Sequence, residues 1–352
     1  MRRWNFSHHA ISSCVTAALL AGCGGSQPPI GTPGALPQGS ALAQRTGSAN
    51  YKVLYSFGKR SDDGNLPEAT LVDLGGTLYG TTAFGGGFTS YAHGTVFSIT
   101  PGGKEKVLYS FGRVPDGNTP EAGLISLGGT FYGTTSGGGL APVCTSNYYP
   151  CGTVFSITPS GTEKVLHSFG NKKDGFDPVA LLIEVNGTLY GTTEFGGAHH
   201  KCCGTVFSIT PSGTYKVLHN FGAANDGSQP LAPLIEVKGK LYGTTEFGGA
   251  HGPGTVFSIT LSGKEKVLYS FNGTDGSNPS AGLIDVKGRL YGTTPYGGTH
   301  NSSGTLFSVT TSGKERVLHN FGKGTDGAAP VASLVELKGT LYGTTENGGP
   351  YY

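Results

Sequence analysis

The 352-residue chain carries 24 Lys plus Arg against 22 Asp plus Glu, and only 13% of its residues are charged. A near-neutral chain with no basic stripe lacks what a phosphate-tracking protein needs, which excludes a nucleic-acid reader and removes nucleic acid from the expected partners. Its 62 Gly, 17 Tyr and 18 Phe are too aromatic for a disordered chain and suit a β-rich fold with many tight turns.

Reading from the start, Arg2 and Arg3 precede a short apolar stretch, Ala10 to Ala21, too short for a spanning helix of about 20 apolar residues. It ends in Leu20-Ala21-Gly22-Cys23, which resembles the lipobox of bacterial lipoprotein signals. The resemblance implies cleavage before Cys23 and a thioether-linked diacylglycerol on its sulfur, making residues 1–22 a signal peptide. The other reading is an ordinary signal cut after a small residue, with Cys23 a spare thiol. Losing residues 1–22 removes two arginines and no acid, so Lys plus Arg becomes 24 − 2 = 22 and the mature chain is formally neutral. Acyl chains at about 0.8 kcal/mol per buried CH₂ would anchor the chain to one leaflet rather than span it. Gly24 stands where an inner-membrane retention signal would resemble Asp, so the outer membrane or cell surface is the expected location. Residues 23–38 lack apolar periodicity and read as a flexible tether from the lipidated cysteine.

From residue 39 to 352 the chain repeats itself. Lys/Arg-Val-Leu-Tyr/His-Ser/Asn-Phe begins at Lys52, Lys106, Lys164, Lys216, Lys266 and Arg316, at spacings of 54, 58, 52, 50 and 50 residues. Tyr-Gly-Thr-Thr begins at Tyr79, Tyr132, Tyr190, Tyr242, Tyr291 and Tyr342, and Gly-Thr-Val/Leu-Phe-Ser-Ile/Val-Thr at Gly94, Gly152, Gly204, Gly254 and Gly304. One copy resolves into strands at Leu181 to Val185, Thr188 to Thr193, Thr205 to Thr210 and Tyr215 to Phe221. Asn186-Gly187 reads as a type I′ hairpin turn. Four short antiparallel strands, six times over, predict an all-β, six-bladed β-propeller. The chain opens on a fourth strand, Lys52 to Phe57, and ends on a first and second, Val331 to Thr345. Pairing of the N- and C-terminal strands is therefore expected to close the ring, with residues 39–45 as a degenerate third strand.

The Leu-Tyr-Gly-Thr-Thr, Gly-Gly and Gly-Thr-Val-Phe-Ser-Ile-Thr units resemble the GloVer tandem repeat of choice-of-anchor bacterial surface proteins, over about residues 51–349. The resemblance implies export and attachment by one of several anchors, and no established activity. The repeat is also similar to kelch, with Gly-Gly after a Tyr-bearing second strand, but has no blade tryptophan: the single Trp, Trp4, lies in the signal.

Alternation places the 2–3 and 4–1 connections on one rim, and these are the long, variable loops where binding usually resides. Candidates there are His199, His251 and His300 after Gly-Gly, Glu194, Glu246 and Glu346 after Tyr-Gly-Thr-Thr, and Tyr91, Tyr148 and Tyr149, whose rings could stack on a sugar or peptide. The sixfold Asp-Gly-x-x-Pro (Asp63, Asp116, Asp174, Asp226, Asp275, Asp326) reads as a turn, with Asp capping N–H groups, Gly at positive φ and Pro opening the next strand. An exported chain favours disulfides, and Cys144, Cys151, Cys202 and Cys203 allow three pairings, with Cys144–Cys151 the first choice. No metal, cofactor or catalytic residue is expected. The functional expectation is a monomeric, non-catalytic binding module for a surface glycan or protein. The alternatives are a polysaccharide lyase or hydrolase on the same rim, and a structural envelope protein.

Overall fold

The computed structural model describes residues 51–87, 93–113, 115–140, 151–171, 173–199 and 202–349. Five four-stranded antiparallel sheets follow one another along the chain, each ordered first to fourth strand. They are Val72–Leu74, Thr77–Thr82, Thr95–Ile99 and Glu105–Ser110 (sheet one); Ile125–Leu127, Thr130–Thr135, Thr153–Ile157 and Glu163–Ser168 (sheet two); and Ile183–Val185, Thr188–Thr193, Thr205–Ile209 and Tyr215–Asn220 (sheet three). Sheets four and five are Ile235–Val237, Lys240–Thr245, Thr255–Thr260 and Glu265–Ser270, then Ile284–Val286, Arg289–Thr294, Thr305–Thr310 and Glu315–Asn320. The described residues contain no helix.

The local reasons are those the repeat announces. Asn186 and Gly187 have φ of 53° and 78°, the pair of positive values a type I′ turn requires. The first strand of that copy starts at Ile183 rather than Leu181 because Leu182 leaves the ladder and buries itself, 1% exposed, between sheets.

The core lies in the seams between consecutive sheets. Val154 and Phe169 of sheet two pack with Leu182, Leu189, Phe207 and Ile209 of sheet three, and the same set recurs at three other seams. On the third strand Val206 serves one seam while Phe207 and Ile209 serve the other, which is why that strand is apolar on both faces. The phenylalanine ending each fourth strand meets the third-strand phenylalanine of the next sheet edge to face, with centroids 5.0–5.2 Å apart from Phe111–Phe155 to Phe271–Phe307. Burying one such ring is worth roughly 1.5–3 kcal/mol. The glycine of Tyr-Gly-Thr-Thr exists to admit it: Gly191 is in register with Phe207, and a Cβ there would stand 2.6 Å from the ring.

At the inner edge the short first strands of sheets one and two, two and three, and four and five are in contact. Thr81 Oγ1 donates across the first of these junctions to the Ala122 carbonyl, 2.9 Å away.

A polar link crosses each repeat as well. Tyr55 and Tyr109 hydroxyls donate to Asp63 and Asp116 at 2.9 and 3.0 Å, Tyr269 donates to Asp275, and His167, His219 and His319 Nε2 lie 3.0, 3.0 and 2.7 Å from Asp174, Asp226 and Asp326. Each aspartate is thus held by a Tyr or His a few residues before it and by backbone N–H groups, such as Gly170 to Asp174 at 3.1 Å. The following glycine corrects the sequence reading. Only Gly175 and Gly276 of the six have positive φ. The residue is small because a Cβ would strike the buried Thr of Tyr-Gly-Thr-Thr; at Gly117 it would lie 2.0 Å from Thr135 Oγ1.

The last repeat differs. Val335–Leu337 and Thr340–Tyr342 form a two-stranded sheet. Residues 51–56, expected to be a fourth strand, are not in strand conformation, and among the described residues Thr340–Tyr342 pairs with Val335–Leu337 alone. The edge that segment was to pair with, residues 39–45, lies outside the described residues. The described residues from Tyr55 onward make up one compact unit by themselves.

Candidate functional site

The 2–3 and 4–1 connections share one rim because they pair with each other. Gly64 and Asn65 bridge Gly85 and Phe84, Asn118 bridges Gly137, Ser228 bridges Phe247, and Ala328 bridges Asn347. Single bridges, Phe176 to Phe195 and Ser277 to Tyr296, replace these pairs in two repeats. The start of each long loop is therefore fixed.

Where the rim turns inward, the residue before proline adopts the left-handed conformation in every repeat: Leu66, Thr119, Asp177, Gln229, Asn278 and Ala329, with φ between 54° and 61°. A non-glycine residue pays about 1–2 kcal/mol for that geometry. Two backbone bonds hold it. Asp177 N–H donates to the Cys151 carbonyl at 3.1 Å, and the Asp177 carbonyl accepts from Glu194 N–H at 2.9 Å. Gln229 repeats this with Cys203 and Glu246, at 2.9 Å each. This clip brings together the residue before proline and the residue after Tyr-Gly-Thr-Thr.

Asp177 and Glu194 hold both clipped positions of one repeat and Glu246 the second position of the next; with Glu121, which follows the preceding repeat's proline, they make an acidic recess whose charges act on one another. Burial, then the Glu194 and Glu121 charges, push Asp177 up to about 8. Burial, then Glu246 and Glu121, push Glu194 up to about 7. Burial raises Glu246 too, and desolvation followed by the Glu68 charge raises Glu121 against a hydrogen bond from Ser136. Glu121 nonetheless remains exposed while Asp177, Glu194 and Glu246 are half-buried, so the recess is open to solvent rather than sealed. Near neutral pH the group holds protons as well as charge, and it titrates as a set rather than as independent carboxyls.

The remaining candidates are dispersed. His199 and His251 are exposed and His300 is half-buried, 3.4 Å from Thr299 Oγ1 through Nδ1. Among the described residues no hydrogen bond joins these histidines to Glu194 or Glu246, and Glu346 is exposed. Cys23, Cys144, Tyr91, Tyr148 and Tyr149 lie outside the described residues. Cys202 and Cys203 are bonded to each other, and Cys151 is disulfide-bonded as well. Glu121 and Asp177 were not singled out from sequence. Their signal was the column flanking the repeated proline, where Asp177-Pro178 and Pro120-Glu121 stand against Gln229-Pro230 and Pro279-Ser280 in other copies.

These features define an all-β tandem-repeat protein of propeller-like build, with a polar rim over apolar seams. The chain belongs to the Gloeobacter/Verrucomicrobia repeat family, whose model matches residues 140–352. Comparison with curated proteins gave no match. Among solved structures it is similar to a gluconolactonase from Xanthomonas campestris (14% identity, 73% of this chain and 76% of that one, TM-score 0.41). It is also similar to a Bacteroides thetaiotaomicron protein of unknown function (11% identity, 82% and 69%, TM-score 0.47).

Proposed function

We propose that this chain is an exported, lipid-anchored surface protein whose loop rim binds a ligand without transforming it, and that its six repeats close into a six-bladed β-propeller. The observation that carries the binding reading is the acidic recess assembled by three successive repeats from Glu121, Asp177, Glu194 and Glu246. Carboxyls that share protons donate and accept hydrogen bonds together, which matches the hydroxyls of a surface glycan; a protein ligand would instead present a basic side chain there. The test is a glycan array probed with the mature chain and with the Glu194→Gln/Glu246→Gln double variant. Retention at least tenfold weaker in the variant is expected; identical glycan profiles would remove the recess from recognition.

A second reading is a hydrolase or lyase of extracellular polysaccharide. It is favoured by one pair: Asp177, protonated near neutral pH, beside Glu194, partly ionised, the division of labour that acid–base catalysis uses. Release of reducing ends from polysaccharide that disappears in Asp177→Asn would select it over simple binding. A chain that retains no glycan, cleaves none and binds no protein would be structural.

Anchoring rests on Cys23. The Cys23→Ser variant is expected to leave the membrane fraction, and a variant still held there would refute the lipid anchor. Closure is supported by Phe57, which meets Phe97 edge to face at 4.8 Å as though it ended a preceding blade. It is also supported by the uncovered last sheet, where Val335, Leu337 and Tyr342 are 63%, 57% and 52% exposed. Deleting residues 39–57 is expected to lower the melting temperature by several degrees, and an unchanged melt would argue for an open array.

A further inference from the structure

The six polar links described above are not equivalent, and one of them departs from the rest in a way that has chemical meaning. In each, a Tyr or His meets the loop aspartate, and in the first five the residue opening the next sheet's fourth strand faces the pair from across the seam. At two seams the trio is Tyr, Asp and Glu: Tyr109, Asp116 and Glu163, then Tyr269, Asp275 and Glu315. Tyr55, Asp63 and Glu105 form a third, where Arg60 caps Glu105 at 2.9 Å. Between sheets two and three the trio is His167, Asp174 and Tyr215, the two rings stacked with centroids 3.8 Å apart and the Tyr215 hydroxyl donating to the Asp174 carbonyl at 2.8 Å. Only between sheets three and four do His, Asp and Glu coincide among the described residues.

We propose that His219, Asp226 and Glu265 form a divalent metal site, of zinc type, joining sheets three and four. One nitrogen or oxygen from each residue lies within 4.8 Å of the others. His219 Nε2 and Asp226 Oδ2 are 3.0 Å apart, close to the roughly 3.4 Å between neighbouring ligands on a tetrahedral ion with bonds of about 2.1 Å. Glu265 brings the third ligand atom within the same 4.8 Å. Its Oε1 is buried without a hydrogen-bond partner, so a fully made protein bond need not be broken to ligate. The first ligands are already oriented: Asp226 Oδ1 accepts from Gly227 N–H at 2.7 Å, and the His219 ring is fixed edge-on against Phe221, centroids 4.7 Å apart. An imidazole with two carboxylates leaves a fourth position for water, and the side chain of His219, 20% exposed, opens the route for the ion. Binding to the folded chain alone would staple two repeats and raise stability by mass action.

The protein's own repeats supply the variants. Tyr109 and Tyr269 already occupy the position of His219 elsewhere, so His219→Tyr keeps the fold's local arrangement while removing the nitrogen ligand. The experiment is zinc titration of the purified chain by calorimetry, with melting temperature followed in parallel. The wild type is expected to bind one equivalent more zinc than His219→Tyr, and to gain a zinc-dependent rise in melting temperature that the variant lacks. Should His219→Tyr fail to fold, Glu265→Gln, nearly isosteric, carries the same comparison, with affinity expected to fall at least tenfold. Tyr109→His, which builds the same trio with Asp116 and Glu163, is expected to add one equivalent. Equal zinc binding by wild type and the ligand variants, or none by either, would overturn the site.

Discussion

The seams and the rim are built from the same repeat, yet they treat repetition in opposite ways. In the seams the third strand reads Thr-Val-Phe-Ser-Ile in four sheets and Thr-Leu-Phe-Ser-Val in the fifth. Every third-strand phenylalanine, from Phe97 to Phe307, is essentially inaccessible. On the rim, the position after Tyr-Gly-Thr-Thr runs Ala83, Ser136, Glu194, Glu246, Pro295 and Glu346. Packing between identical sheets leaves little freedom, since a change of even one methylene is felt in a close-packed interior. A solvated rim tolerates change, and there the copies diverge into a one-sided acidic recess. What every copy keeps is scaffold; what two or three neighbours hold in common is where chemistry can collect.

That contrast can be broken at its strong end first. Phe207→Ala empties a fully buried position between sheets two and three and should cost about 3–5 kcal/mol, read as a lower denaturant midpoint; a loss under about 1 kcal/mol would mean the seams do not carry the fold. Gly191→Ala inserts a methyl 2.6 Å from the Phe207 ring and 2.7 Å from Leu182 Cδ2, an overpacking expected to cost about 1–3 kcal/mol in the same measurement.

Next comes the rim, through pH. Asp177 at about 8 and Glu194 at about 7 are raised above the values of an unfolded chain, near 3.9 and 4.3. The folded state therefore binds more protons. The stability they contribute is fully present below about pH 4 and is lost as pH rises through 7 to 8. Glu163, Glu265 and Glu315, each raised to about 7, act in the same direction. Melting temperature is expected to fall between about pH 4 and 8, and Asp177→Asn should flatten its share of that fall; a melt that rises across this window would invert the sign. The smallest effect belongs to Glu346→Gln, an exposed change expected to leave the melt within about 0.5 kcal/mol of wild type.

Much of this was legible because repetition multiplies weak signals. One Tyr-Gly-Thr-Thr says little; six, each preceded by a two-residue turn, state a sheet. The alternation at Val206, Phe207 and Ile209 told which strand is sandwiched, and the structure assigns its two faces to two seams. The glycine of Asp-Gly was misread because its requirement is space, set by a threonine some 18 residues away across the sheet, as with Gly117 and Thr135. The left-handed residue before proline was hidden for a different reason: local rules disfavour it, and tertiary clips such as Asp177 to Cys151 override them. Glu194 and Glu246 were visible as a pattern, whereas Asp177 reaches Glu194 through the backbone clip and Glu121 joins them only once sheets stack. The histidines after Gly-Gly shared the pattern but not the place. His219 attracted no notice because it looks like one of three equivalent residues; only its neighbour across the seam, Glu265 rather than Tyr215, distinguishes it.

Carboxyl carbon chemical shifts followed against pH give the most direct test of the acidic recess. Asp177 and Glu194 are expected to titrate above pH 6, and Glu194→Gln should lower the Asp177 midpoint by withdrawing a neighbouring charge. Two independent midpoints near 4, unmoved by that substitution, would show that the clip does not bring these carboxyls together.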